Sequence, residues 1–218
     1  MTTEPIKPKP RRRFWQYSLR TMLVMLTVFC VWLGWTVHGA NEQRKAVEWV
    51  REMGGTVWYD YQLDEKHRLR YNSEPSGPRW LVQLLGVDHF QEVSFVGLNR
   101  TQSNAPTPLP VLKSLKLLDL NTTPVSDLTP LAGLKNLRVL ALTGMPVSDL
   151  TPLAKLTSLE SLRLTSTKVN DLTSLAGLKN LEVLWLNGTA VSDEQVEELR
   201  RALPNCKIIW WTASDPSL

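Results

Sequence analysis

Cysteine is nearly absent: Cys30 and Cys206 are the only two among 218 residues. One such pair cannot form a disulfide framework, and no C-x-x-C sets two thiolates around a metal ion. Both read as small buried apolar side chains. Histidine is also scarce, and His38, His67 and His89 stand in no ligand spacing such as H-E-x-x-H. No Gly-rich phosphate loop and no G-x-S-x-G elbow occurs. These absences argue against an enzyme and assign no catalytic residue, metal or cofactor. Most of the chain lacks an excess of either charge. The net charge is +4, but residues 1–20 hold six basic and one acidic side chain, which leaves the remainder at −1. A nucleic-acid binder needs a basic stripe on the domain itself, so nucleic acid is not expected as a partner.

What is abundant is leucine at a fixed interval. The ladder Leu112, Leu115, Leu118, Leu120 returns at Leu134, Leu137, Leu140, Leu142, then at Leu156, Leu159, Leu162, Leu164 and at Leu178, Leu181, Leu184, Leu186. Each start lies 22 residues after the last. Val125, Val147, Val169 and Val191 follow in register, then Asp127, Asp149, Asp171 and Asp193. A fixed period of this length marks a solenoid, whose turns bury their apolar faces only by stacking. Seven large apolar side chains in a clean turn bring roughly 10–20 kcal/mol, at ~1.5–3 kcal/mol each. Ordering one turn costs roughly 20–40 kcal/mol of backbone entropy. A single turn therefore cannot stand alone.

The pattern L-x-x-L-x-x-L-x-L-x-x-T-x-V-x-D-L-x-P-L resembles the 22-residue leucine-rich repeat of the internalin class. The resemblance implies an α/β solenoid: a right-handed coil with a parallel sheet on its concave side and short 3₁₀ turns on its convex side. The chain departs where that family usually places asparagine, with Thr123, Met145, Thr167 and Thr189. A threonine hydroxyl still bonds backbone at this bend; Met145 cannot, which predicts a looser corner there.

The repeat domain is expected over 90–212, with turns starting at 90, 112, 134, 156 and 178. Phe90, Val93, Val96, Leu98 and Leu109 fit a degenerate first turn. In the last turn Ser192 with Gln195 forms a capping-box signal, and Val196, Leu199 and Leu203 share one helical face. A closing strand follows from 203, with Cys206, Ile209 and Trp211 predicted to point inward, before a tail over 213–218. Residues 41–89 read as a small α+β cap. A helix over 41–53 stops at Gly54-Gly55, a strand covers 56–62, and a short helix begins at Pro78.

Residues 1–20 read as a basic cytoplasmic tail and 21–40 as a single transmembrane helix. No residue from Thr21 to Ala40 is charged apart from a protonated His38. Twenty residues at ~1.5 Å each reach ~30 Å, the thickness of a hydrocarbon core. Six basic residues precede the stretch, and Arg44, Lys45 and Arg51 follow it. That bias predicts a cell-membrane protein with its N-terminus in the cytoplasm and its repeats outside. The alternative is a cleaved signal peptide, for which His38 makes a poor −3 residue. The run Arg12-Arg13-Phe14-Trp15-Gln16-Tyr17-Ser18-Leu19-Arg20-Thr21-Met22-Leu23 resembles the opening of small membrane-anchored leucine-rich-repeat proteins of planctomycete bacteria. Val31-Trp-Leu-Gly-Trp35 and Leu203-Pro-Asn-Cys-Lys-Ile208 add to that likeness.

Strand alternation aims the residues between inward leucines at the concave side. One column is Phe95, Leu117, Val139, Ser161, Val183 and Ile208. The next is Gly97, Asp119, Ala141, Arg163, Trp185 and Trp210. The third includes Asn99, Asn121 and Asn187. The candidate partner-binding residues are Trp185, Trp210, Arg163, Asp119, Asn121 and Asn187, since aromatics and arginine anchor interfaces. The opposing reading packs Trp210 under the tail. The aspartate column reads as capping rather than as a cation ladder, since one carboxylate per turn is sparse for calcium. The expected partners are a protein on the concave sheet and the lipid bilayer at 21–40. One rival is an exported hydrolase or carbohydrate-active domain in 56–90 using Asp60, Asp64, Glu65 or His89. Another is an envelope protein that self-associates into a homo-oligomer through the sheet.

Overall fold

The computed structural model describes residues 19–64, 70, 73–75, 79–87, 90–99 and 109–211. The expectations for the basic tail up to residue 18, for Glu65, His67 and His89, and for 212–218 lie outside these residues. The chain divides into two compact units, Met1–His38 and Gly39–Leu218. Helix α1 runs Leu19–Glu52. In the first unit Met22, Leu23, Val24, Met25, Leu26, Val28, Phe29, Val31 and Trp32 each expose more than half of their surface. Among the described residues no helix is long and apolar enough to cross a membrane. The side chains of Leu33, Trp35, Thr36 and Val37, inside the predicted span, are not among those described.

The second unit is built on one seven-stranded sheet in chain order. Its strands are β1 (Thr56–Tyr59), β2 (Val93–Gly97), β3 (Leu117–Asp119), β4 (Val139–Ala141), β5 (Ser161–Arg163), β6 (Val183–Trp185) and β7 (Lys207–Ile209). From β2 to β7 every pairing is parallel. Leu118, Leu140, Leu162 and Leu184 sit side by side on successive strands. Each is buried, as are the other leucines of the ladder, so the 22-residue period is the period of the coil. β1 runs antiparallel to β2, pairing Thr56 with Gly97 and Trp58 with Phe95. It occupies the edge that the first turn would otherwise leave open. The predicted strand over 56–62 ends early, because Asp60–Gln62 closes into a 3₁₀ turn. Ala46, Val47 and Val50 of α1 join the core, while Met53 is exposed. Helix α2 spans Arg79–Leu85, and Pro78, the expected first residue of that helix, lies outside the described residues.

The corners show how each turn is held. The Thr123, Thr167 and Thr189 hydroxyls donate to the carbonyls of Leu120, Leu164 and Leu186 at 2.7–2.8 Å. At Met145 the expected looseness does not occur. Its N–H still donates to the Leu142 carbonyl at 3.3 Å, against 3.2 Å in the threonine corners. The side chain is fully buried. A flexible thioether fills the space that a hydroxyl occupies elsewhere, and the backbone bond alone sets the bend.

Three of the four aspartates cap as expected. Asp127, Asp149 and Asp171 accept the N–H of Thr129, Thr151 and Thr173, the first residues of the 3₁₀ turns Thr129–Gly133, Thr151–Lys155 and Thr173–Leu175. Asp193 does not. It is the first residue of helix α3 (Asp193–Ala202), whose cap is Ser192 in a capping box with Gln195. The capping threonine's side chain and then its N–H hold each of the three carboxyls below the usual 3.8. A carboxyl depressed in the folded chain stabilises it above the unfolded pKa, and that contribution is lost as pH falls through the folded value. Asparagine keeps the acceptor oxygen but does not titrate. Replacing all three aspartates by asparagine should therefore flatten the acid limb of stability below about pH 4, the unfolded carboxylate range. Thermal melts across that range test it; equal acid slopes in both proteins would rule it out.

Candidate functional site

The ladder residues alternate with a face turned away from the core. Its columns are fixed by register: Leu117, Val139, Ser161 and Val183 in one, Asp119, Ala141, Arg163 and Trp185 in the next. The closing strand departs from expectation. Lys207 pairs with Val183, Ile208 with Leu184 and Ile209 with Trp185. Ile208 and Trp210 therefore pack against the core along with Cys206. Trp211 is half exposed. Trp210 is thus not beside Trp185 on the open face; Ile209 is. The cause is local. Cys206 N–H bonds the Leu203 carbonyl just as Leu181 N–H bonds that of Leu178, a spacing of 25 residues. Leu186 N–H then meets the Ile209 carbonyl where Leu164 N–H meets that of Trp185. The strand has lost one residue between these points, and a slip of one residue exchanges the two faces. Burial pushes the Cys206 thiol up to about 11, in keeping with a packing role.

Arg163 and Trp185 do meet, with the guanidinium carbon 4.8 Å from the ring centroid. Such a contact is worth ~0.5–1 kcal/mol where exposed, and it favours this arrangement of ring and charge. Asp119 and Asn121 are occupied differently. Asn121 N–H donates to Asp119 Oδ1 at 3.0 Å, and Thr143 N–H donates to Asn121 Oδ1 at 2.7 Å. The Asn121 oxygen stitches one turn to the next, the Asp119 oxygen braces its own turn, and both are less available to a ligand. Asn187, three turns beyond Asn121, has a buried Oδ1 without a partner among the described residues. At the other end of the face Trp58 stacks on Phe95, with centroids 4.2 Å apart. Trp58 could be assigned to this face only once the pairing of β1 was known.

A second feature runs along the edge where the strands begin. Lys116, Arg138, Glu160 and Glu182 immediately precede β3 to β6. Their backbones form one hydrogen-bonded row: Arg138 N–H to Lys116 O, Glu160 N–H to Arg138 O and Glu182 N–H to Glu160 O, each at 2.8 Å. The row lines a polar groove of about 700 Å³ that extends from Glu92 to Asn205. Arg138 and Glu160 form an ion pair at 3.0 Å. The 22-residue spacing of these charges is legible in the sequence, although the candidate site did not include them. Of the residues in the rival hydrolase reading, Glu65 and His89 fall outside the described residues. Among the described residues no group of three His, Cys, Asp or Glu side chains is placed to hold a metal ion.

No protein-family model matches the chain, and no curated protein matches it. Solved structures do. A leucine-rich-repeat protein of Leptospira interrogans is 26% identical, covering 65% of this chain and 36% of its own, with a TM-score of 0.50. An internalin of Listeria monocytogenes is 27% identical over 54% of this chain and 34% of its own, with a TM-score of 0.49. The chain spans about a third of the length of each. With its stacked 22-residue turns, parallel sheet and likeness to the Leptospira protein, this chain has the leucine-rich-repeat fold.

Proposed function

We propose that this chain is a membrane-anchored binding module whose open sheet face engages a protein partner around Trp185 and Arg163. The observation that carries the binding reading is the stacked guanidinium and indole, held on a sheet whose reverse side is fully packed. A rigid aromatic beside a fixed charge loses little conformational entropy on docking, as interface anchors require. Ile209 extends the apolar surface next to Trp185. Membrane anchoring is supported by the uncharged stretch from Thr21 to Ala40 and by the exposed apolar side chains from Met22 to Trp32. The basic residues preceding that stretch favour an N-terminus in the cytoplasm and repeats outside it.

Crosslinking in native membranes tests both halves. The full chain should stay in carbonate-washed membranes, and a photoreactive group at position 185 should capture a protein. With that partner in hand, Trp185→Ala with Arg163→Ala should weaken binding ~30-fold or more, as loss of a hot spot worth ~2 kcal/mol does. Unchanged affinity in a variant that still unfolds like the parent would refute the assigned face. Release by carbonate would refute the anchor.

A further inference from the structure

The polar groove at the start of the strands carries an order of charge that points to its occupant. From β3 towards β6 the signs run Lys116 and Arg138 positive, then Glu160 and Glu182 negative. Read backwards, every sign is inverted. We infer that a second copy of this chain docks on this row about a two-fold axis passing between Arg138 and Glu160. The inference goes beyond the binding-module reading, because the row lies at the strand starts and not on the face around Trp185. Rotation about that axis sets Lys116 opposite Glu182 of the second copy and Arg138 opposite Glu160. Each contact is made twice, as an isologous interface requires.

The row does not read as a surface that merely neutralises itself. Adjacent strands lie ~4.8 Å apart, where like charges side by side are destabilising. Lys116 stands next to Arg138, and Glu160 next to Glu182, each pair bonded through backbone. Strict alternation of sign would avoid that repulsion. Blocks of two in reversed order are relieved when the opposite blocks of another copy face them. Among the described residues Lys116 and Glu182 form no ion pair, and the Arg138–Glu160 pair keeps 47% and 33% of its side-chain surface exposed. The groove leaves room between the strand starts for incoming side chains.

Sedimentation of the full chain in detergent, over a concentration series, tests this. The wild-type chain should dimerise, more weakly as salt is raised. Lys116→Glu and Glu182→Lys should each weaken the dimer ~10-fold or more, because like charges then oppose twice. Mixing the two variants should restore dimerisation, since each mixed contact again joins opposite charges. A chain that stays monomeric overturns the inference. So does a dimer that neither reversal weakens, or a mixture that fails to recover. A variant with altered circular dichroism is replaced by Lys116→Gln and Glu182→Gln, for which smaller losses without recovery on mixing are expected. Retained capture from position 185 alongside any of the overturning results would leave the binding reading intact, whereas loss at 185 with an intact dimer would remove that reading's heterotypic site alone.

Discussion

Leu162→Ala should lower the free energy of unfolding by ~3–5 kcal/mol, near the upper end for a buried leucine. Leu162 lies in β5, between Leu140 of β4 and Leu184 of β6, and all three are fully buried. The cost of a cavity depends on whether its surroundings can collapse into it. Here they are held on both sides by parallel strands in fixed register, so the void stays open. The same change at Val191, which is buried less completely at 7%, should cost less. A solenoid also transmits stability only between neighbours, so weakening a middle turn should reduce cooperativity as well as stability. Urea unfolding followed by tryptophan fluorescence reports both, through the midpoint and the slope. A loss below about 1 kcal/mol would mean that the middle turns relax freely, contrary to close-packed stacking.

The expectations that succeeded rest on periodicity that the backbone repeats without interruption. Leu118, Leu140, Leu162 and Leu184 are 22 residues apart and side by side, so the alternate residues fall into columns that could be written down beforehand. Arg163 beside Trp185 follows from the same count. The closing strand failed because its pattern is ambiguous. Cys206-Lys-Ile-Ile-Trp-Trp offers apolar residues in both phases of alternation, so hydrophobicity could not choose between them. Backbone bonding after α3 made that choice and put Trp210 rather than Trp211 against the core. Trp58 was hidden for a different reason. Its place on the open face depends on an antiparallel partner more than 30 residues away, and no local pattern encodes that pairing.

The site is therefore better described as two unequal ends joined by a common sheet. One end has Arg163 over Trp185, with Ile209 adjacent; the other has Trp58 stacked on Phe95. Between them Asp119 Oδ1 accepts the Asn121 N–H within its own turn, and Asn121 Oδ1 accepts the Thr143 N–H of the next. They brace the sheet that presents the aromatics. This division explains why a list of polar residues on a predicted face overstates its binding chemistry. A side chain that bonds the next turn is part of the scaffold even when it lies in the right column.

The junction between α1 and the sheet supports the second large prediction, Gly55→Ala. In the sequence Gly54-Gly55 is one signal for the end of a helix, but the two glycines do different work. Gly54 has a φ of +75°, and a β-carbon there would meet nothing within 4 Å. Gly54→Ala should thus cost only the ~1 kcal/mol of a left-handed backbone. At Gly55 the obstacle is steric. A β-carbon would lie 2.7 Å from Val50 Cγ1 and 2.8 Å from both the Gly97 carbonyl oxygen and Leu98 Cδ2. The valine and leucine are in the core, and the carbonyl belongs to the last residue of β2, which pairs with β1. None of the three can yield without moving α1, β1 or the first ladder turn. Overpacking of this kind costs ~1–3 kcal/mol, and the shared backbone contact favours the upper part of that range. Hydrogen exchange separates the two effects. Gly55→Ala should speed exchange at the β1–β2 amides while leaving those of β4 and β5 protected, because a solenoid passes strain only to adjacent turns. Equal losses for the two alanine variants would show that this close approach is not what the position requires.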